Sequence, residues 1–136
     1  MATVDSSVIV ALFNSRDRDH AACLAWFREA IGNGEPLRAP VTVLAEVAAA
    51  IMRGTGDRQL ARDVAAQLRH SAMFELLPVS LPLAERAMAI AADHNLPGHS
   101  ALDLAAADTF GDRLITLDAE QLRKGPDVVE TARPGG

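Results

Sequence analysis

The chain has 136 residues, of which 49% are apolar and 23% are charged, and its formal net charge is −5 at pH 7. This length and composition predict a single globular domain over residues 1–136. The single cysteine, Cys23, excludes an internal disulfide framework and a zinc site made of paired thiolates. No apolar run reaches the roughly 18–20 residues of a membrane span, and the N-terminus lacks the basic start of a signal peptide. We therefore expect a soluble, cytoplasmic protein with no membrane partner, and its acidity argues against a module that coats nucleic acid by charge alone.

Short apolar segments alternate with amphipathic ones along the chain. The apolar segments predict five strands, Ala2–Asp5, Leu37–Ala39, Phe74–Val79, Arg113–Asp118 and, at an edge, Val128–Thr131. The amphipathic segments predict helices over Val8–Phe13, His20–Ile31, Pro40–Arg53, Asp57–His70, Leu83–His94 and Ser100–Phe110. This alternation predicts an α/β fold whose parallel sheet is covered by helices on both faces. Ligands of such sheets bind beyond the carboxyl ends of the strands, so functional residues are expected there.

Three carboxylates lie where helices are predicted to begin. Asp5 and Asp118 directly follow apolar strands, and Asp103 lies near the start of the last long helix. Asp5 is placed to cap the helix that follows it. Asp118 with Gln121, and Ser100 with Asp103, both resemble capping boxes. Taken singly, none of these acids needs a catalytic explanation.

Glu46 is harder to explain as a structural residue, because its helical segment is otherwise apolar or small. At about 100° per residue, it lies opposite Leu44 and beside Ala49, Ala50 and Arg53. A solvated face with Arg53 as the neighbour of Glu46 stays open. Two alanines make a poor solvated face, however, so this side of the helix is expected to face another part of the molecule with the carboxylate directed at it.

Taken together, the acids at these helix and strand ends are expected to meet at one edge of the sheet: Asp5, Glu46, Asp103 and Asp118. Converging carboxylates repel one another, so some would stay protonated unless a cation were present. Carboxylate and water oxygens bind hard cations such as Mg²⁺ or Mn²⁺. Metal ions held in this way are a standard device for cleaving phosphodiester bonds.

The order of these acids, with their neighbours, resembles the PIN-domain ribonucleases, and most closely the VapC-type toxins of bacterial toxin–antitoxin pairs. Four stretches carry the resemblance, Val4–Val8, Leu44–Val47, Ala101–Ala106 and Leu114–Asp118. The resemblance spans nearly the whole chain. It implies a three-layer α/β/α PIN-like domain with a central, mostly parallel five-stranded sheet. It also implies Mg²⁺-dependent endoribonuclease activity, a homodimer and a cognate VapB-type antitoxin.

The resemblance also implies roles for individual residues. It gives the catalytic and metal-binding roles to four acids, Asp5, Glu46, Asp103 and Asp118, with a metal-bound water attacking the RNA phosphate. Thr116 matches a hydroxyl residue near the site, and Ser6 matches the small polar residue after the first acid. Ser7 stands where asparagine is frequent, which puts a supporting hydrogen bond in question. Asp108 is an additional acid, and its role is open between the site and solvent.

Substrate contacts are less clearly marked. One predicted helix face carries a candidate phosphate-binding stripe, Arg58, Arg62 and Arg69. A solvated charged face explains these arginines at least as well. His99, close to Asp103 in the chain, is a second candidate substrate contact.

Two other functions fit parts of the sequence. One is a non-catalytic PIN-like module that binds RNA or protein. The other is a receiver-like signalling domain, for which the chain lacks an adjacent pair of acids after its first strand.

Overall fold

Five strands form the centre of the molecule, which a computed structural model describes over residues 1–136. They are β1 (Ala2–Val4), β2 (Leu37–Pro40), β3 (Phe74–Leu77), β4 (Arg113–Ile115) and β5 (Thr131–Ala132). Their spatial order is β3-β2-β1-β4-β5, and every neighbouring pair is parallel. The prediction of a five-stranded parallel sheet is confirmed.

The strand order also locates the ligand-binding edge. Strands β2 and β3 extend the sheet to one side of β1, and β4 and β5 extend it to the other. The order therefore reverses between β1 and β4, and open α/β sheets bind their ligands at such a switch point. Receiver domains place their first strand between the second and the third, whereas here it lies between the second and the fourth. The receiver-like alternative is wrong.

Seven helices surround the sheet: α1 (Ser6–Phe13), α2 (His20–Gly32), α3 (Val43–Thr55), α4 (Arg58–His70), α5 (Leu81–His94), α6 (Gly98–Phe110) and α7 (Ala119–Lys124). Helices α1 to α4 share a core of 17 buried residues with the sheet, and α5 and α6 share a second core of 11. Leu114 and its neighbour Ile115 on β4 belong to different cores, as the alternation of a strand requires. The three-layer architecture is confirmed. None of the helices has the length and apolar character needed to span a membrane.

The end of β3 differs from the prediction. The strand ends at Leu77 rather than Val79, and Pro82 lies in the first turn of α5 instead of closing the strand. Ser80 caps this helix, because its hydroxyl accepts a hydrogen bond from the Leu83 amide at 3.3 Å. A proline at the first helical positions loses no hydrogen bond, so this sequence favours a helix start.

The C-terminal part of the chain also departs from the prediction. β4 ends at Ile115, three residues before Asp118, which begins the helix α7 that the predicted elements lack. The last strand is Thr131–Ala132 rather than Val128–Thr131, since a 3-10 turn at Gly125–Asp127 delays it.

Helix α6 packs closely on the sheet because its inward side is built mostly from alanine. Ala101, Ala105 and Ala106 are fully buried, and the helix contacts β1, β2 and β4. Small side chains at a contact let a helix backbone approach its neighbour. This approach brings Asp103, on the same buried side of α6, to the end of β1.

Candidate active site at the carboxyl end of the sheet

A cleft of about 800 Å³ opens beyond the carboxyl ends of β1 and β4. Asp5, Glu46 and Asp118 line this cleft. Asp103 lies behind them, only 4% exposed, and close enough to Asp5 for that acid to raise its pKa. The structure therefore brings the four predicted acids together at the switch point of the sheet.

Asp5 caps a helix and lines the cleft at the same time. Its Oδ2 accepts a hydrogen bond from the Ser7 amide at 2.9 Å, at the start of α1. Capping fixes the orientation of the carboxylate without removing it from the cleft. The two explanations that the sequence offers for Asp5 are therefore compatible.

Asp103 does not belong to a capping box. Helix α6 begins at Gly98 after Pro97, and no side chain caps it. Ser100 is therefore inside the helix, and its buried hydroxyl oxygen has no hydrogen-bond partner. The capping interpretation of Ser100 and Asp103 is wrong, which leaves Asp103 as a buried acid without a role in starting a helix.

Asp118 caps α7, but Gln121 does not complete a capping box with it. The Asp118 Oδ1 accepts a hydrogen bond from the Glu120 amide at 3.2 Å. Gln121 is fully buried and turns towards Asp103, donating from Nε2 to Oδ2 of that acid at 3.2 Å. Its Oε1 accepts a hydrogen bond from the Thr116 hydroxyl at 2.5 Å, and Thr116 Oγ1 accepts one from the Asp118 amide at 3.0 Å. A buried chain of hydrogen bonds thus connects two of the four acids.

The two serines after Asp5 also contact the site. Ser7 Oγ accepts a hydrogen bond from the Leu117 amide at 3.1 Å, which ties α1 to the segment between β4 and α7. Serine at position 7 therefore makes a hydrogen bond across the site. Ser6 lines the cleft together with Glu46 and lowers the pKa of that acid.

Burial and mutual repulsion raise the pKa values of two acids of this site. Burial raises the pKa of Asp103 well above its ordinary value, and the hydrogen bond with Asp5 and the charges of Asp5 and Glu46 raise it further, against the opposing hydrogen bond from Gln121. Burial and then the charge of Asp5 raise the pKa of Glu46, against the opposing effects of His99 and of hydrogen bonds from Ser6 and Thr42. Placing the acids together therefore makes their full ionisation unfavourable.

The chemistry of the donors fits a hard divalent cation. No three of the His, Cys, Asp and Glu side chains are placed to hold a metal ion together in this structure. The site nevertheless gathers four carboxyl groups and no thiolate, which matches the oxygen ligands of Mg²⁺ and Mn²⁺. A bound cation would balance the charges that raise the pKa values of Asp103 and Glu46.

Two acids of the cleft have no signal in the sequence. Asp17 and Asp19 line it from the loop between α1 and α2. In the sequence they belong to a charged, exposed loop beside Arg16 and Arg18. Their approach to the cleft depends on how α1 and α2 pack, which the local sequence does not express.

The predicted arginine stripe lies outside the cleft. The stripe consists of Arg58, Arg62 and Arg69 on α4. All three side chains are exposed, and none of them forms an ion pair. His99 and Arg53 line the cleft instead, Arg53 from the last turn of α3. Asp108 is exposed and pairs with Arg86 at 3.1 Å, so it is not part of the site.

The comparisons with known proteins agree with this geometry. The family model of the PIN domain matches residues 2–125, and the chain therefore belongs to the PIN-domain family. No curated protein sequence matches the chain.

Several solved structures share the fold. VapC20 of Mycobacterium tuberculosis, a Sarcin-Ricin loop cleaving toxin, is 22% identical with a TM-score of 0.70, over 84% of this chain and 87% of that one. FitAcB of Neisseria gonorrhoeae is 17% identical with a TM-score of 0.74, over 99% of both chains. VapBC2 of Rickettsia felis, bound to a DNA fragment from the promoter, is 11% identical with a TM-score of 0.71, over 97% of both chains.

Proposed function

We propose that the chain is a Mg²⁺-dependent endoribonuclease, able to use Mn²⁺, and that it is the toxin of a VapBC-type toxin–antitoxin pair. The observation that carries the proposal is the convergence of three carboxyl groups on one cleft, those of Asp5, Glu46 and Asp118, with a fourth, Asp103, buried behind them. Membership of the PIN-domain family supports it. A structural role explains Asp5 and Asp118 as caps, but it explains neither the buried Asp103 nor the half-buried Glu46.

Each group in the site has a distinct task under this proposal. The four acids hold the cation, which when bound supplies an activated water and balances the charge of the phosphate. Gln121 and Thr116 hold Asp103 in its orientation through the buried hydrogen bonds. Ser7 is occupied in accepting a hydrogen bond from the Leu117 amide and has no histidine base beside it, so no serine nucleophile is needed.

Cleavage of total RNA by the purified chain tests the proposal. We expect discrete fragments with Mg²⁺ and none with EDTA. Asp5→Asn and Asp103→Asn should each lower cleavage by more than about 100-fold. Asparagine can still cap α1, so the first variant should keep its fold. Asp108→Asn is the matched control, because it removes the same charge from an exposed position on the same helix as Asp103.

The outcomes separate the proposal from a non-catalytic module. A wild-type protein that binds RNA equally with Mg²⁺ and with EDTA, and produces no fragments, would be a binding module. Full activity in Asp5→Asn would remove the four acids from the mechanism.

We also propose that a VapB-type antitoxin binds the chain and that the chain forms a homodimer. Structures with the same fold include the complex VapBC2 and a toxin–antitoxin complex from Klebsiella pneumoniae, which is 20% identical with a TM-score of 0.67. Co-expression with the product of the adjacent gene should yield a complex in which cleavage is inhibited. Sedimentation of the chain alone should give twice the monomer mass, and a monomer would contradict the dimer.

A further inference from the structure

The cleft contains one guanidinium group among five carboxylates. The carboxylates are Asp5, Asp17, Asp19, Glu46 and Asp118. The guanidinium belongs to Arg53, which is exposed and forms no ion pair with any of them. Because Arg53 pairs with none of the acids around it, its guanidinium group is available for an anion that enters the cleft from solution.

The unpaired arginines of the chain are unevenly distributed. Six of the twelve arginines form ion pairs within the chain. Of the other six, Arg53, Arg58 and Arg62 follow one another from the end of α3 into α4, which Gly56 and Asp57 connect. Helices α3 and α4 pack against each other. Unpaired arginines therefore occur both in the cleft, at Arg53, and on the adjoining helix, at Arg58 and Arg62.

Arg53 lies at a defined distance from the carboxylates. It is seven residues after Glu46 on α3, which is two turns of helix on the same face and a rise of about 10 Å. A strand whose phosphate lies at the acids would therefore place a neighbouring part of its backbone at Arg53.

We propose that Arg53 binds a backbone phosphate of the RNA substrate close to the bond that is cleaved, and that Arg58 and Arg62 continue this contact along the strand. This inference rests on the proposed ribonuclease function. A planar guanidinium group matches the oxygens of a phosphate with two parallel hydrogen bonds. A chain with a net charge of −5 repels RNA as a whole, so admission of the strand requires local positive charge.

The test compares Arg53→Gln with Arg28→Gln. Arg28 is also exposed and unpaired, but it lies on α2 outside the cleft, so the two variants lose the same charge. The probe is a single-stranded RNA oligonucleotide that spans the cut made by the wild-type protein. Binding is measured with Mg²⁺ in the cleavage-inactive Asp5→Asn background, at several salt concentrations. Steady-state cleavage is measured without that substitution, and thermal unfolding of each variant checks its fold.

We expect Arg53→Gln to weaken RNA binding about 10-fold and to lower the slope of log K against log salt by about 0.7. KM should rise by a similar factor while kcat changes little, because the contact is made before and during the reaction alike. Arg53→Lys should recover part of the loss, since lysine keeps the charge but not the fork. Arg28→Gln should match the wild type.

Other results overturn the inference. Equal losses of RNA affinity in Arg53→Gln and Arg28→Gln would show that only the overall charge of the protein matters. Tighter Mg²⁺ binding by Arg53→Gln with an unchanged KM for RNA would make Arg53 a counter-charge for the acids instead. A wild-type protein that cleaves no RNA would refute the proposed function itself. An active wild-type protein whose RNA binding and cleavage do not change in Arg53→Gln would refute only the role of Arg53.

Discussion

Replacing Gln121 by methionine should destabilise the protein through the hydrogen bonds that hold the candidate site together. Gln121 is fully buried, donates to Asp103 at 3.2 Å and accepts from Thr116 at 2.5 Å. Methionine has nearly the same length and fits irregular space, so it leaves little empty volume. The substitution therefore removes polar contacts while largely keeping the packing.

The magnitude follows from the groups that lose a hydrogen bond with Gln121, which are the Thr116 hydroxyl, the Asp103 carboxyl group and, at 3.4 Å, the Ser100 carbonyl oxygen. A buried polar group that loses its hydrogen bond costs about 1–3 kcal/mol. With both Thr116 and Asp103 affected, and with some gain from burying an apolar side chain, we expect a loss of about 2–4 kcal/mol in the free energy of unfolding. For a domain of this size that corresponds to a fall in Tm of about 10 °C. The variant should remain folded at room temperature, because domains typically unfold at a cost of about 5–15 kcal/mol.

Urea unfolding of metal-free protein measures this loss, and Gln67→Met is the control. Gln67 is exposed on α4, so its replacement should change the free energy by less than about 0.5 kcal/mol. Thr116→Val in combination with Gln121→Met completes a double-mutant cycle. The two losses should be less than additive by about 1 kcal/mol, since both substitutions break the same bond. Equal stability of the two glutamine variants, or full additivity in the cycle, would refute the buried network.

Three further predictions follow from other parts of the structure. Gly125→Ala should destabilise the protein, because its new methyl group would lie 2.5 Å from Thr131 Oγ1. Gly54 lies in helix α3 with open space around it, so Gly54→Ala should stabilise the protein by about 0.4–1 kcal/mol. Thermal unfolding measures both effects. Burial raises the pKa of Glu35, but the N-terminal ammonium and Arg113 outweigh this effect and lower the pKa below 4.5. The stability that Glu35 provides is therefore present above that pH and is lost as the pH falls further. Glu35→Gln should be less stable than the wild type at neutral pH and equally stable in acid. The raised pKa of Asp103 has the opposite effect. As pH rises above 3.8, metal-free wild-type protein should lose stability relative to Asp103→Asn, which lacks this ionisable group.

The sequence predicts the fold well because each strand and helix is marked by its own residues. Apolar runs locate the strands, and residues such as Asp57 and Ser80 cap helices close to the predicted starts. Errors occur where two local signals compete. Pro82 is typical both of a strand's end and of a helix's first turn, and only the cap at Ser80 decides between them.

The candidate site is less predictable, because its residues are brought together by packing between distant elements. The positions of the four acids agree with the expectation from strand ends and helix faces. Gln121 could not be found in this way, since local sequence makes it a capping residue and only the approach of α6 turns it towards Asp103. The loop acids Asp17 and Asp19 are hidden for the same reason.

Some of the side chains that build the fold also set the charge of the site. Asp5 and Asp118 start helices, so their backbones are fixed by local hydrogen bonds before any ligand is considered. The alanines of α6 let this helix approach the sheet closely, which buries Asp103 near Asp5. Burial and the neighbouring charge then raise the pKa of Asp103. A site assembled in this order is prepared for positive charge. Ionisation of these acids should lower the stability of the metal-free fold and raise its affinity for a cation, because a bound cation would relieve the repulsion that the fold creates.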